Sequence, residues 1–466
     1  MPFQLVDEAK QALPLHVVSK ESYPAWLKAQ DSSAQRWLKA INFPAAPGTC
    51  AFVPSAKGEL AMAVAGTGSP PDIWAIAGLA STLPPHVYAL SGVEAPQAAQ
   101  LALGWALGAY RFHRYKTKEP EKEAPSLALP GAEGAEVREM AQSIYLARDL
   151  INTPANDMLP THMAAMCLQV AKEQGAKISV LTGEELLTAN YPTIYTVGKA
   201  SADAPRLIDL RWGRENAPKV TLVGKGVSFD SGGLDIKSAA SMRLMKKDMG
   251  GAAIALGLAR LVMAQKLDVR LRVLIPSVEN AVGSRAMRPL DVVKTRKGVT
   301  VEIGNTDAEG RLILCDALAE ADSEKPDLLV DFSTLTGAAR VALGTDIPAF
   351  FTPDDALAEA LARAGAATGE TLYRLPLAGA YRDMLKSHTA DLSNDTDSPY
   401  AGAITAALFL KEFVEQTPRW LHIDMMAWNL AARPGRPVGG EAQGLRAVYA
   451  LLRERYGKLM KNKARK

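Results

Sequence analysis

Cysteine is scarce. The chain holds only Cys50, Cys167 and Cys315, far apart and with no CxxC pair, which excludes a disulfide scaffold and a thiolate metal cluster and suits a reducing compartment. Its 6 histidines (His16, His86, His113, His162, His388 and His422) are scattered, and no HExxH string occurs, so none is taken as a metal ligand. Net charge is small, +3 from 53 Lys+Arg against 50 Asp+Glu, too little to make a nucleic-acid binder on composition alone. A membrane-length apolar run of about 18 residues is missing. The longest apolar helix candidate, 251–264, contains Arg260 and is expected to be buried in protein. The opening residues MPFQLVDEAK carry Asp7 and Glu8 and no apolar core of signal-peptide length, so a cytoplasmic, soluble protein without a membrane partner is expected.

What is present is an ordinary globular composition, 48% hydrophobic and 22% charged over 466 residues. At roughly 100–200 residues per domain, this length allows two or three domains. The segment 118–126, followed by Pro130-Gly131, is charged, proline-rich and poor in large apolar side chains, as a surface connection is. Beyond it Val137, Met140, Ile144 and Ala147 recur at helical spacing. The expected organisation is an N-terminal domain over 1–130, a linker helix over 131–158 and a C-terminal domain over 159–466. In the latter, apolar strand candidates at 178–181, 206–210, 220–223, 269–275, 328–331 and 420–424 interleave with helix candidates. Those helices fall at 162–173, 250–264, 312–321, 355–364, 406–415 and 441–455. The alternation predicts an α/β domain with a largely buried sheet, in which ligands bind beyond the carboxyl ends of the strands. The tail 453–466 carries seven Lys/Arg and one Glu; it reads as a solvated helix end, with contact to nucleic acid as the alternative.

Three polar clusters sit where that rule places chemistry. The first, Gly224-Lys-Gly-Val-Ser-Phe-Asp230-Ser-Gly-Gly-Leu-Asp-Ile-Lys237, follows the strand candidate 220–223; its glycines allow tight turns and close approach to a ligand. It is not a phosphate loop of the GxxxxGK[ST] kind, because Lys225 precedes the glycine pair. The second, Lys246-Lys-Asp248-Met-Gly-Gly251, precedes the apolar helix, where Asp248 is either a helix cap or a ligand. The third is Gly304-Asn-Thr-Asp307-Ala-Glu309-Gly-Arg311. If extended, it projects Asn305, Asp307, Glu309 and Arg311 from one face; a solvated turn is the other reading, although apolar neighbours on both sides favour burial. Asp230, Asp248, Asp307 and Glu309 together bring four negative charges, which two divalent cations would balance, keeping buried acids ionised as ligands. Carboxylate-rich ligation suits Zn, Mn, Co or Mg, and the lack of imidazole weakens selectivity for zinc. The residues alone favour a two-metal hydrolase.

At these clusters the sequence resembles the leucine aminopeptidase family of two-metal exopeptidases. Asn305-Thr-Asp-Ala-Glu-Gly-Arg-Leu312 matches the family signature in full. Gly224-Lys-Gly, Asp230-Ser-Gly-Gly, Lys237 and Asp248-Met-Gly-Gly-Ala match in order and spacing, as do Arg148–Asn156 and Leu335-Thr-Gly-Ala338. The resemblance covers about residues 145–440, and it implies two domains: a smaller N-terminal α/β domain and a larger catalytic α/β domain with a mixed central sheet flanked by helices. It also implies two divalent ions per subunit, Zn or Mn before Co or Mg. Lys225 would bind one as a neutral amine, Asp230 and Glu309 would bridge both, Asp248 would complete the Lys225 site and Asp307 the other. Lys237 would polarise the scissile carbonyl, and Arg311 would anchor a bicarbonate that serves as general base. Met245, Asn305, Thr334, Leu335 and Gly337 match positions that line the substrate cleft. The implied activity is release of N-terminal leucine or other apolar residues from peptides with a free amine, by attack of a metal-bridging water, in a homohexamer. Ser238, Ser333 and the segment 437–445 depart from the usual pattern, which puts side-chain preference in question and leaves the metal ligands untouched.

Overall fold

The structure, a computed structural model, describes residues 2–8, 10–117 and 123–457. Part of the expected connection (118–122) and the basic run 458–466, on which the nucleic-acid alternative depends, lie outside the described residues. Two compact units share the chain: residues 1–145 with 431–438, and residues 146–430 with 439–466. The helix Gly131–Asn152 carries the chain from the first into the second.

The first unit is built on a six-stranded sheet. Its order is Leu5–Val6, Ser126–Ala128, Val87–Ser91, Leu13–Ser19, Leu60–Thr67, Cys50–Pro54, and every pairing is parallel except that of the last two strands. Parallel strands need covered faces. The apolar helix Ala95–Ala109 supplies one cover, burying Leu101 and Trp105 in a cluster with Leu15, Ala63, Tyr88 and Leu127. The opposite cluster joins Val18, Val53 and Val64 to Leu38 of the helix Ser32–Ala40.

The second unit holds a nine-stranded mixed sheet whose centre is four parallel strands: Trp420–Asp424, Leu328–Ser333, Lys219–Gly224 and Arg270–Asn280, in that order. Antiparallel strands flank them, Arg206–Trp212 on one side and Ala349–Phe351 on the other. Every expected strand is present: five are longer by two to four residues and Trp420–Asp424 is unchanged. The helix Gly250–Ala264 lies against this centre and is buried from Gly250 through Met263; each fully buried leucine or isoleucine along it contributes about 1.5–3 kcal/mol. Its contact is close because of two glycines: a Cβ on Gly251 would stand 2.1 Å from the carbonyl oxygen of Phe332 in the neighbouring strand, and one on Gly224 2.6 Å from Ala252 Cα. Three expectations shift. The helix placed at 406–415 is Gly402–Lys411. The helix placed at 441–455 begins at Leu445, because Gly444 before it has φ +82°. The segment Gly226–Asp230, read as a glycine-rich loop, is a strand parallel to Arg270–Asn280. Among the described residues no helix is long and apolar enough to cross a membrane.

One buried ion pair ties the sheet together beneath the site. Asp331 and His422 are partners in register on adjacent parallel strands. The imidazole Nδ1 stands 2.5 Å from Asp331 Oδ1, and Trp420 Nε1 donates to Oδ2 at 2.7 Å. Burial pulls the imidazole pKa down, but the Asp331 charge outweighs it and the net shift is upward. The protonated pair therefore contributes stability that is fully present below the unfolded value of about 6.5 and is lost as pH rises through the raised folded value. Urea-unfolding midpoints measured from pH 6 to 9 are expected to fall through that window in the wild type. In Asp331→Asn that fall is expected to vanish.

Candidate metal centre

The carboxyl ends of the central strands deliver the site. The strand Lys219–Gly224 runs straight into Lys225. The backbone N–H of Lys225 donates to Phe332 O at 3.0 Å, and its carbonyl accepts from Ala252 N at 2.8 Å, so the lysine stem starts from a fixed point. Asp230 ends the strand beside it, and Asn280 at the end of Arg270–Asn280 donates to Asp230 Oδ1 at 2.9 Å. Asp248 falls in a short 3₁₀ turn, Met245–Met249. It does not cap the following helix: the cap position is Met249 and no side chain serves it. The Asp248 carboxylate is turned inward, accepting from Thr334 Oγ1 at 2.7 Å. The third cluster is not extended either. After Thr300–Glu302 the chain turns through Thr306 and Asp307, and Glu309 is the first residue of the helix Glu309–Ser323. Asn394 pins that turn, its Oδ1 accepting from Gly304 N at 2.7 Å and its Nδ2 donating to Asn305 O at 2.8 Å.

These elements bring the expected ligands together. One carboxylate oxygen from each of Asp230, Asp307 and Glu309 lies within 4.8 Å of the others. Lys225 Nζ lies 2.8 Å from Asp248 Oδ2 and 2.9 Å from Glu309 Oε1, yet both oxygens lack a hydrogen-bond partner. Gly310 makes room for this lysine, since a Cβ there would stand 2.6 Å from Nζ. Lys237 Nζ lies 2.9 Å from Asp230 Oδ2 and pairs also with Asp307.

The pKa pattern follows from crowding acids in a buried place. Burial and the Asp230 charge push Glu309 up to about 8, and the same two causes push Asp307 to about 6. Burial would raise Asp248 too, but Lys225 and Lys247 outweigh it and hold Asp248 at about 2. For Lys225 burial acts downward, and Asp248, Glu309 and Asp230 reverse it to a net rise; the amine is cationic while these carboxylates are its only counter-charges. Lys237 is raised in the same way by Asp230 and Asp307. Orphaned buried carboxylate oxygens and acids pushed toward neutrality are what a divalent cation relieves, and all-oxygen donors with one amine suit Mn, Zn, Co or Mg.

A cavity of about 250 Å³ opens over the cluster. It is lined by eleven of the twelve expected site residues: Lys225, Asp230, Lys237, Asp248, Asp307 and Arg311, together with Met245, Asn305, Thr334, Leu335 and Gly337. The twelfth, Glu309, is buried next to Lys225. Several residues escaped the sequence reading. Asn280 and Asn394 hold Asp230 and the 304–308 turn. Asp424 accepts from the backbone N–H groups of Leu335 and Thr336 at 2.9 and 3.1 Å, shaping the cavity wall. Lys247 and Arg340 also line the cavity. A lone Asn or Asp at a strand end carries no spacing signature, and Lys247 was legible only as a neighbour of Asp248. Of the departures, Ser238 caps the short helix Ala239–Met242 through its hydroxyl. In the atypical segment, Glu441 accepts three bonds from the buried Arg148 guanidinium, and Gly440 N donates to Asn152 Oδ1 at 2.8 Å. That segment anchors the 148–152 motif and does not line the cavity.

Comparison with known proteins agrees with this geometry. Residues 145–449 match the model of the cytosol aminopeptidase family catalytic domain, and residues 13–130 match that of the M17 aminopeptidase N-terminal domain. The chain is 40% identical over 382 residues to a probable cytosol aminopeptidase of Geobacter sulfurreducens, covering 79% of this chain and 77% of that one. A crystal structure of cytosol aminopeptidase from Coxiella burnetii superposes with a TM-score of 0.93 at 50% identity, covering 97% of this chain and 99% of that one. The bottromycin maturation enzyme BotP, in complex with Mn, superposes with a TM-score of 0.84 at 32% identity, covering 95% and 99%. With both domains matched and the carboxylate–lysine cluster in place, the chain belongs to the cytosol aminopeptidase family of metal-dependent peptidases.

Proposed function

We propose that this protein releases N-terminal residues, with leucine and other apolar side chains favoured, from peptides with an unblocked amine, in the cytoplasm and as a homohexamer. The observation that carries the reading is the convergence of Asp230, Asp307 and Glu309 within 4.8 Å, with Lys225 and Asp248 alongside. Two divalent ions, Mn or Zn before Co or Mg, would be held there: one by Lys225, Asp248, Asp230 and Glu309, the other by Asp307 with Asp230 and Glu309. When bound, such ions supply the Lewis acidity that makes water a nucleophile at neutral pH and fix a neutral amine. Once the carboxylates are engaged by cations, burial is the influence left on Lys225, and it favours the neutral amine needed of a ligand.

The chain's own residues do the rest. Lys237, cationic and at the cavity wall, is placed to hold the carbonyl oxygen as negative charge develops on it. Arg311 keeps an anion site open: its Nη1 donates to Asn394 O at 2.7 Å, while its buried Nε has no hydrogen-bond partner. A bicarbonate there would accept a proton from water. Met245 and Leu335 give the cavity apolar wall for an aliphatic side chain, and Asn305 is held toward it by donating to Asp395 Oδ2 at 2.9 Å.

Hydrolysis of leucine p-nitroanilide tests this directly. Exhaustive chelation is expected to abolish it and Mn or Zn to restore it; N-acetyl-leucine p-nitroanilide is expected not to be cleaved. Activity that survives chelation contradicts the reading. Lys237→Ala is expected to lower kcat at least about a hundredfold, the scale of losing one oxyanion donor, and Asp307→Ala to be near-inactive. Gly310→Ala would displace Lys225, so calorimetric titration is expected to show Mn bound at least roughly tenfold more weakly while the fold persists.

A further inference from the structure

We propose that Lys247 and Arg340 form a carboxylate-binding corner of the substrate cavity, so that the enzyme recognises an anionic group carried by the peptide. The inference rests on the aminopeptidase reading and adds a second chemistry to its pocket.

The other cations of the cavity have partners. Lys225 stands against Asp248 and Glu309, Lys237 against Asp230 and Asp307, and Arg311 donates to the Asn394 carbonyl. Lys247 and Arg340 line the same cavity and are left over. Lys247 is 1% exposed, and its Nζ has no hydrogen-bond partner; the nearest acid, Asp248 Oδ1, is 3.9 Å away and already accepts from Thr334. Arg340, in the helix Gly337–Leu343, has a buried Nη1 that is also without a partner, and no ion pair within 4.0 Å joins it to an acid among the described residues. A lysine buried without a hydrogen-bonded counter-charge is a cost to folding that a methionine of similar length would remove. Two such cations lining one cavity, close enough for the Arg340 charge to act on Lys247 and each with an unmet donor, fit a ligand that brings the missing acceptors. A carboxylate offers two oxygens with room for both. Met245 and Leu335 line the same cavity, so the pocket suits an aliphatic stem that ends in an acid.

Two carboxylates of a peptide share this chemistry, the side chain of an N-terminal Glu or Asp and the C-terminus of a dipeptide. Matched substrate pairs separate them: glutamyl against glutaminyl p-nitroanilide, and Leu-Gly against Leu-Gly-amide, each assayed with the Mn-loaded enzyme. The wild type is expected to prefer the charged member of one pair. In Lys247→Met and in Arg340→Met that kcat/KM ratio is expected to fall by about tenfold, as for loss of a hydrogen bond to a charged group. Arg340→Glu, which alters a half-buried side chain and spares the core, is expected to invert the preference toward a lysyl p-nitroanilide. The pair that responds identifies the carboxylate. Equal loss on charged and neutral members, or ratios that no variant moves, overturns the corner while leaving the aminopeptidase reading intact. Hydrolysis of none of the four substrates overturns that reading, and the corner with it.

Discussion

Everything at this site depends on mutual repulsion held in check. Asp230, Asp307 and Glu309 are drawn within one ion's reach in surroundings where burial and like charge push Glu309 and Asp307 upward. Such an arrangement is costly unless cations sit among the acids. Lys225 and Lys237 serve that purpose in the chain by itself. Lysines that balance the acids keep the cluster folded; divalent ions of higher charge density would take over that balance, with Lys225 giving up its proton and Lys237 staying cationic.

The fold makes the repulsion tolerable by fixing every ligand from a different rigid element. Parallel strands end at Gly224, Asp230 and Ser333, and a fourth ends at Asp424. The loops after these strands, and the 304–308 turn that follows Thr300–Glu302 of a separate small sheet, have tied-down backbones: Lys225 to Phe332 and Ala252, the turn to Asn394, and the Leu335–Thr336 amides to Asp424. Ligands delivered this way cannot relax apart, which is what preorganisation at a metal centre requires. The 2.1 Å between a virtual Cβ on Gly251 and Phe332 O shows how closely the helix behind the site is pressed to the sheet.

The candidate ligands were legible in the sequence because acids and glycines recur there in dense clusters, and because Asn305–Leu312 is distinctive as a string. Strand and helix positions were legible from apolar periodicity. Local backbone form was not. Gly226 and Ser228 disguise a strand that is held by pairing with Arg270–Asn280, and Gly310 disguises the first turn of a helix, where a small residue is needed beside Lys225. Asn280, Asn394 and Asp424 were invisible, since their importance comes from partners 26 to 90 residues away in sequence. No local pattern records such distances. The α/β character of the first unit followed from resemblance alone and agrees with its six-stranded sheet.

Five side chains, Lys225, Asp230, Asp248, Asp307 and Glu309, would enclose a pair of divalent ions. Crystals of the Mn-loaded protein, with anomalous diffraction recorded at the manganese edge, test it most directly. Two anomalous peaks per chain, bounded by those five residues and with Asp230 and Glu309 touching both, are the expected result. A map with no peak there, or with manganese bound elsewhere while the carboxylates keep their lysine partners, would contradict it.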